Sequence, residues 1–301
     1  MKGKIFSPGK LLLTSEYTVL DGALALAIST QPGQEFFYEE TEDGISLIFW
    51  EAYVQNELWL KAVIDYKNWK VLETNDDAKG LFLLSVFKEL ATLSGTKLQG
   101  STSYHLTTNL QFAENFGLGS SSTLINNLAE WADADAFSLN EKTFGGSGYD
   151  IAVAQEKSPV LFQILPDGRS VKRIKFAPAY SEALMFVHLN KKQNSREGIS
   201  VYRRKKITKT FVNKFSTITR KVLKAKDLDE FSLLMEEHEE ILSKFIGIPK
   251  VKDSFPEYPF FIKSLGAWGG DFVLTVKNGE SLRYFKDREF TNIYSWEELI
   301  G

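Results

Sequence analysis

Short apolar runs, several of which alternate with polar residues, dominate the first hundred residues of the chain. They occupy residues 24–28, 35–38, 45–49, 58–64 and 69–71. A side-chain period of two is typical of strands with one buried face, so the pattern predicts a largely antiparallel meander. Residues 81–93 instead carry apolar side chains at helical spacing and stop before Gly95. That stretch predicts an amphipathic helix with a glycine at its carboxyl end.

The pattern changes in the second half of the chain, where strand runs and helix runs are mixed. Strands are predicted over residues 160–164, 184–189 and 272–276, and two long helices over residues 207–225 and 227–246. A mixture of this kind is typical of an α+β fold, and the change of character near residues 160–180 predicts two domains.

Composition narrows the class of protein. The 301 residues are 43% hydrophobic and 13% aromatic, which is enough for a large buried core. A net charge of -3 offers no broad basic field for a polyanion, so we expect binding neither to nucleic acid nor to a membrane. The chain has no cysteine, which excludes disulfides and thiolate chemistry and fits a reducing cytoplasm. We therefore expect a cytoplasmic protein.

Residues 114–123 carry the most informative chemical pattern. Gly117 and Gly119 stand before three serines, residues 120–122, at the point where a helix over residues 124–132 is predicted. Glycines let the backbone approach an anion closely, and the free N–H groups at the start of a helix attract negative charge. The segment predicts phosphate binding, although a plain turn with a serine N-cap would use the same residues.

Three further segments also combine glycines with hydroxyl or charged residues. They are Ser-Pro-Gly-Lys at residues 7–10, with Glu16 downstream, Gly-Gly-Ser-Gly-Tyr-Asp at residues 145–150, and Gly-Ala-Trp-Gly-Gly-Asp at residues 266–271. In order and in kind, the four segments resemble the motifs of the GHMP kinases, the superfamily named for galactokinase, homoserine kinase, mevalonate kinase and phosphomevalonate kinase. The Pro-Gly-Lys opening is similar to that of mevalonate and phosphomevalonate kinases and differs from the opening of the sugar kinases.

The resemblance implies a fold and an activity. The fold would be the α+β, two-domain GHMP kinase fold, with an N-terminal ATP-binding domain over residues 1–165 that contains a left-handed βαβ unit. A ferredoxin-like α+β domain would occupy residues 166–301. The protein would use ATP and Mg²⁺ to phosphorylate a small molecule, either mevalonate or phosphomevalonate, in isoprenoid precursor synthesis. The sequence leaves the choice of acceptor open, and it leaves the oligomeric state open, with a homodimer as one alternative.

The resemblance also implies roles for individual residues. Asp150 would accept the proton of the acceptor hydroxyl, and Lys10 would supply positive charge beside the transferred group. The nucleotide phosphates would be bound by Gly117, Leu118, Gly119, Ser120, Ser121 and Ser122. Mg²⁺ would be bound by Ser121 and by Glu141, although the spacing of Glu141 does not match the family's glutamate well. Substrate binding is expected of Glu16, Arg196, Gly266, Ala267 and Gly269, of which Arg196 belongs to an Asn-Ser-Arg segment similar to the Asn-Thr-Arg of mevalonate kinases.

Two departures from the family pattern keep other functions open. Trp268 stands where the third motif has a glycine, and the connection between Ser122 and Gly148 is shorter than is usual in mevalonate kinase. A catalytically inactive relative that retains the fold as a nucleotide-binding module is therefore one alternative, although the presence of both Lys10 and Asp150 argues against it. A GHMP kinase that acts on a sugar or on homoserine is the other.

Overall fold

The structure, a computed structural model, describes residues 1–191, 195–266 and 268–301, with the backbone alone for residues 195–197. The strands are β1 (Lys2–Leu12), β2 (Ala25–Glu42), β3 (Leu47–Val54), β4 (Glu57–Asp65), β5 (Lys70–Thr74), β6 (Thr102–Leu110), β7 (Val160–Leu165), β8 (Gly168–Arg173), β9 (Leu184–His188), β10 (Lys263–Leu265), β11 (Phe272–Val276) and β12 (Ile293–Ser295). The helices are α1 (Asp77–Leu93), α2 (Ser120–Ala132), α3 (Ala136–Thr143), α4 (Tyr149–Glu156), α5 (Ser195–Arg203), α6 (Lys209–Val222), α7 (Leu228–Ile246), α8 (Gly279–Lys286) and α9 (Trp296–Leu299). Short 3-10 helices span Thr18–Asp21, Ser181–Ala183 and Val251–Ser254.

The chain forms two compact units, each of which is discontinuous in sequence. The first comprises Met1–Gly9, Pro32–Glu114 and Gly119–Lys157. The second comprises Lys10–Gln31, Asn115–Leu118 and Ser158–Gly301. Strands β1 and β2 each contribute residues to both units, because the chain passes from one to the other within them. A single domain boundary after residue 165 stays a prediction.

The first unit is built on a sheet with strand order β5-β4-β3-β6-β2. Its β3-β4 and β4-β5 pairs are antiparallel, which confirms the predicted meander for these three strands. The runs predicted as separate strands at residues 24–28 and 35–38 instead belong to one strand, β2, which pairs with β6 and not with β3. Strand β6 instead pairs in parallel with β3, so β4, β5 and α1 form the connection between two parallel strands. The handedness of this crossover stays a prediction. The fully buried core side chains of the unit include those of Phe36, Trp50, Phe87, Leu106 and Leu128.

The second unit contains a sheet with strand order β10-β11-β9-β12, in which each pair is antiparallel. Helices α5 to α7 connect β9 to β10, and α8 connects β11 to β12. This chain path and strand order are those of a β-α-β-β-α-β ferredoxin-like sheet, which confirms the prediction for the C-terminal half. Strand β7 pairs with β8 and with residues Ala25, Leu26 and Ala27 of β2. Within the described ranges, none of the helices is both long enough and apolar enough to cross a membrane.

Candidate active site

The glycine–serine loop, residues 117–123, leads into α2 and includes its first turn. Gly119 is the N-cap of the helix and has φ of 87°, a left-handed conformation that favours glycine. No side chain caps the helix, since its N-cap is a glycine, and the nearby Ser122 hydroxyl donates a hydrogen bond to the Gly119 carbonyl at 2.9 Å. Ser120 and Ser121 are half-buried in the first turn. The first N–H groups of a helix have no carbonyl partner within the helix, an arrangement that suits an anion, and phosphate binding at this loop stays a prediction.

A cavity of about 230 Å³ lies in the first unit beside the start of α2. Ser120 and Ser121 line it, and the rest of its wall is largely apolar. The aromatic side chains that line it are Trp50, Tyr53, Trp59, Phe82 and Phe144. The Trp50 indole N–H is buried and has no hydrogen-bond partner among the described residues. A buried tryptophan N–H usually has an acceptor, so a donor without one beside this cavity is notable.

Asp150 lies in the first turn of α4. The helix begins after Gly148, which has φ of 86° and packs so closely on the Phe137 ring that a Cβ there would stand 3.0 Å from it. The half-buried Asp150 carboxylate accepts a hydrogen bond from the Ile151 N–H at 3.1 Å. A carboxylate is favoured at this end of a helix because the aligned peptide dipoles make it positive. The role of Asp150 as a base stays a prediction.

Lys10 contacts the glycine–serine loop through both its backbone and its side chain. Its N–H donates to the Leu118 carbonyl at 2.9 Å, and its Nζ donates to the Gly117 carbonyl at 3.1 Å. The side chain is only 9% exposed, so the ammonium group is held at the loop. The structure thus brings together two segments that the sequence separates by 107 positions.

Metal binding has less support in the structure. Within the part of the chain that the structure describes, no group of three or more His, Cys, Asp or Glu side chains could hold a metal ion. Glu141 is exposed on α3, and Ser121 is half-buried on α2. Mg²⁺ in nucleotide sites commonly takes one or two protein ligands and completes its shell with phosphate oxygens and water, so a Ser121 hydroxyl fits that mode. The metal roles of Ser121 and Glu141 stay predictions.

Glu16 lies in a buried ionic cluster of the second unit. Its side chain is 3% exposed and pairs with the Lys263 ammonium, and one oxygen lies 3.1 Å from His238 Nε2. Lys263 also lies 3.1 Å from the Glu239 carboxylate, and it is fully buried. Burial alone would raise the pKa of Glu16, but the charge of Lys263, with His238, holds that pKa below its ordinary value. The geometry fits a residue that stabilises the fold; direct substrate contact by Glu16 stays a prediction.

Glu239 gives this cluster a specific dependence on pH. Burial raises the pKa of its carboxyl to about 7, against an ordinary value of 4.5. The folded protein therefore holds this proton more tightly than the unfolded chain does. The stability that the protonated Glu239 supplies is complete below about pH 4.5 and is lost as the pH rises towards about 7.

We expect a Glu239→Gln variant to gain stability relative to the parent protein as the pH rises from about 5 to about 7, by at most about 1.4 kcal/mol per pH unit. The gain should then level off. Urea denaturation at several pH values measures it. Both proteins retain His238, whose pKa burial holds below its ordinary value. A difference that does not change with pH would contradict the prediction.

The third glycine-rich segment, residues 266–271, is anchored by Trp268. The indole ring is 7% exposed and packs in a core cluster with Tyr17 and Tyr202. The Trp268 backbone N–H donates to the Tyr17 hydroxyl at 3.0 Å, and the indole N–H donates to the Pro249 carbonyl at 3.0 Å. Trp268, which stands where the resemblance leads us to expect a glycine, is therefore a core residue of the second unit.

The residues of the buried ionic cluster could not be assigned from the sequence, and two predicted site residues lie outside the described residues. Lys263, His238 and Glu239 carry no local pattern, although Lys263 stands three positions before Gly266. Gly266 has φ of 84° and Gly269 has φ of 86°, so both glycines are needed for the backbone path. Ala267 and the side chain of Arg196 are the two that the structure does not describe, and their substrate roles stay predictions.

Comparison with known proteins identifies the fold. No family model and no curated protein sequence matches the chain. Among solved structures, the mevalonate kinase of Methanococcus jannaschii is 16% identical, covers 98% of this chain and 97% of its own, and has a TM-score of 0.69.

Two other solved structures extend the comparison to further acceptors. Streptococcus pneumoniae phosphomevalonate kinase, in complex with phosphomevalonate and AMPPNP, is 16% identical over 98% of this chain and 99% of its own, with a TM-score of 0.68. Lactococcus lactis galactokinase, in complex with galactose, is 12% identical over 98% and 92%, with a TM-score of 0.66. The chain therefore has the two-domain α+β fold of the GHMP kinases.

Proposed function

We propose that this protein is an ATP-dependent small-molecule kinase that transfers the γ-phosphoryl group to a hydroxyl or phosphate of a mevalonate-type acceptor, mevalonate or phosphomevalonate, in isoprenoid precursor synthesis. One observation carries the proposal: Ser120 and Ser121 belong both to the uncapped start of α2 and to the wall of an apolar cavity. A nucleotide needs these two environments side by side, because its phosphates are anionic and its base is aromatic and flat.

The size of the cavity supports a base and not a whole ligand. Its volume of about 230 Å³ is below the range of roughly 300–1,000 Å³ that encloses drug-sized molecules. Trp59 and Phe82 line it and remain partly exposed, at 38% and 44%. A stacked base would cover such rings, and one of its ring nitrogens could accept the unused Trp50 N–H.

We expect a Trp50→Phe variant to bind MgADP about fivefold more weakly, because phenylalanine retains an aromatic ring but removes the N–H donor. Isothermal titration measures the dissociation constant. The matched control is Trp69→Phe, which makes the same exchange in the same unit at a side chain that does not line the cavity. Unchanged affinity in Trp50→Phe would contradict the assignment of the cavity to the base.

The proposed reaction uses Asp150 and Lys10. The acceptor oxygen would form a bond to the γ-phosphorus while the bond from that phosphorus to the β,γ-bridging oxygen breaks, which releases ADP. Where the acceptor is a hydroxyl, its proton would pass to the Asp150 carboxylate. Lys10 would offset negative charge on the phosphates, and Mg²⁺, when bound, would supply further charge neutralisation.

A panel of acceptors tests the proposal. Release of ADP that depends on Mg²⁺ and ATP should be measured with mevalonate, phosphomevalonate, homoserine and galactose. Turnover of mevalonate or phosphomevalonate is the expected result. Turnover of galactose or homoserine would favour the second candidate, a GHMP kinase for another acceptor. The structural similarity to the Lactococcus lactis galactokinase is the observation that supports this second candidate. Nucleotide binding without turnover of any acceptor would favour an inactive module.

A further inference from the structure

Asp271 closes the third glycine-rich segment in an unusual conformation. It is 5% exposed and has φ of 53°, a left-handed conformation that is uncommon outside glycine and asparagine. Both backbone polar groups of Asp271 are hydrogen-bonded. Its N–H donates to the Lys191 carbonyl at 3.1 Å, and its carbonyl accepts from the Leu189 N–H at 2.8 Å. Strand β11 follows at once, with Phe272 paired to His188 of β9. The sheet therefore fixes the Asp271 backbone and the direction of its Cα–Cβ bond.

The Asp271 carboxyl group packs on the backbone of two glycines from two of the sequence motifs. A Cβ at Gly117 would stand 2.4 Å from Oδ2 and 2.5 Å from Cγ, and a Cβ at Gly266 would stand 2.7 Å from Oδ2. Carbon and oxygen atoms do not approach that closely, so both positions require glycine while Asp271 is present. The carboxyl group therefore fills the space that two side chains would otherwise occupy.

A second contact holds the same short segment, Asn115–Leu118, to the sheet of the second unit. The Phe116 ring lies with its centroid 4.4 Å from that of His188 and 5.6 Å from that of Phe272. Gly117, the next residue, then packs on Asp271 and accepts a hydrogen bond from Lys10 Nζ at 3.1 Å. Side chains from β9 and β11 and from the turn before β11 thus contact Phe116 and Gly117 of this segment.

We propose that Asp271 is a positioning residue: the volume of its carboxyl group, packed on Gly117 and Gly266, fixes the conformation of the segment Asn115–Leu118 and of the Lys10 contacts to Gly117 and Leu118. The effect of Asp271 on nucleotide binding rests on the proposed function. The effect of Asp271 on the conformation of Gly117 and Leu118 does not. Asp271 touches no substrate in this role. It acts through Gly117, whose carbonyl holds the Lys10 ammonium.

An Asp271→Gly variant separates loop position from global stability. Glycine adopts φ of 53° without strain, so the substitution relieves the backbone strain at this position. It also removes the packing of the carboxyl group. Because these two effects oppose each other, the free energy of unfolding should change little. The loop, however, loses its support. We expect the Lys10 amide, which is bonded to the Leu118 carbonyl, to exchange its hydrogen about tenfold faster in the unliganded variant. MgADP should bind about tenfold more weakly.

Two further variants make the test specific. Asp271→Asn preserves the volume of the side chain and tolerates the left-handed conformation, so it should match the parent in both measurements. Glu289→Gly relieves a similar conformation, with φ of 65°, at an exposed site of the same unit, and should leave Lys10 exchange unchanged.

The outcomes are distinguishable. Parent-like exchange and affinity in Asp271→Gly would overturn the proposal, and so would an Asp271→Asn variant that behaves like Asp271→Gly, because charge and not volume would then matter. Faster exchange in Asp271→Gly alone would support it even if the parent protein bound no nucleotide. Faster exchange together with no nucleotide binding by the parent protein would contradict the proposed function and still support the positioning role of Asp271.

Discussion

Turnover of a hydroxyl acceptor should fall by about 10²–10⁴-fold when Asp150 is replaced by asparagine, because the variant retains the shape of the side chain but cannot take up the proton. The amide oxygen can still accept the hydrogen bond that Ile151 N–H gives to Oδ1 at 3.1 Å, so α4 should be unaffected. Steady-state kinetics should show the loss in kcat, with little change in KM for ATP.

The size of this loss also reports on the acceptor. A phosphate acceptor has a second pKa near 6 and is already largely deprotonated at neutral pH, so it has less need of a base. A much smaller loss in Asp150→Asn would therefore favour phosphomevalonate over mevalonate. Asp77→Asn is the matched control, since Asp77 lies in the first turn of another helix in the same unit. Parent-like turnover of a hydroxyl acceptor by Asp150→Asn would remove Asp150 from the mechanism.

Replacement of Lys263 by methionine should lower the free energy of unfolding at neutral pH by about 3–5 kcal/mol, because it leaves a buried carboxylate without a counter-charge. Lys263 is fully buried, and its two carboxylate partners, Glu16 and Glu239, are 3% and 2% exposed. Burial alone would lower the pKa of Lys263, but the charges of Glu16 and Glu239 raise it above its ordinary value, so the ammonium form is the one that is lost. The shift of the urea midpoint measures the change.

Two companion variants define what the Lys263 result means. Lys244→Met removes an exposed lysine, 75% accessible, from a pair with Glu240, and should cost less than about 1 kcal/mol. The double variant Lys263→Met, Glu16→Gln removes both charges of the closest pair and should recover part of the loss. A loss below about 1 kcal/mol in Lys263→Met alone would contradict an ionised cluster around Lys263.

Local patterns located α2 well, except at its start. Apolar spacing predicted a helix from residue 124, whereas the helix begins at Ser120. Its first turn consists of the hydroxyl residues 120–123, which add nothing to the pattern of apolar positions, so hydrophobic periodicity cannot predict that turn. Gly119 marked the start, because a left-handed N-cap requires glycine or a similarly tolerant residue.

Tertiary pairing overrode local propensity at the first motif. Residues 7–10 include Pro8 and Gly9, which disfavour strands, yet they lie within β1, which pairs with β2. The short helices α3 and α4 also escaped prediction, since each spans only eight residues. Two helical turns carry too little periodicity to be distinguished from a loop.

Local sequence patterns identify the chemistry available to this protein: a glycine–serine helix start, a lysine, an aspartate and two further glycine-rich segments, in an order that resembles one kinase superfamily. How these residues are used depends on contacts between distant segments. Glu16 pairs with Lys263, 247 positions away, and Asp271 packs on Gly117. Periodicity and propensity encode contacts within a few residues, whereas burial and charge pairing arise when distant segments pack together.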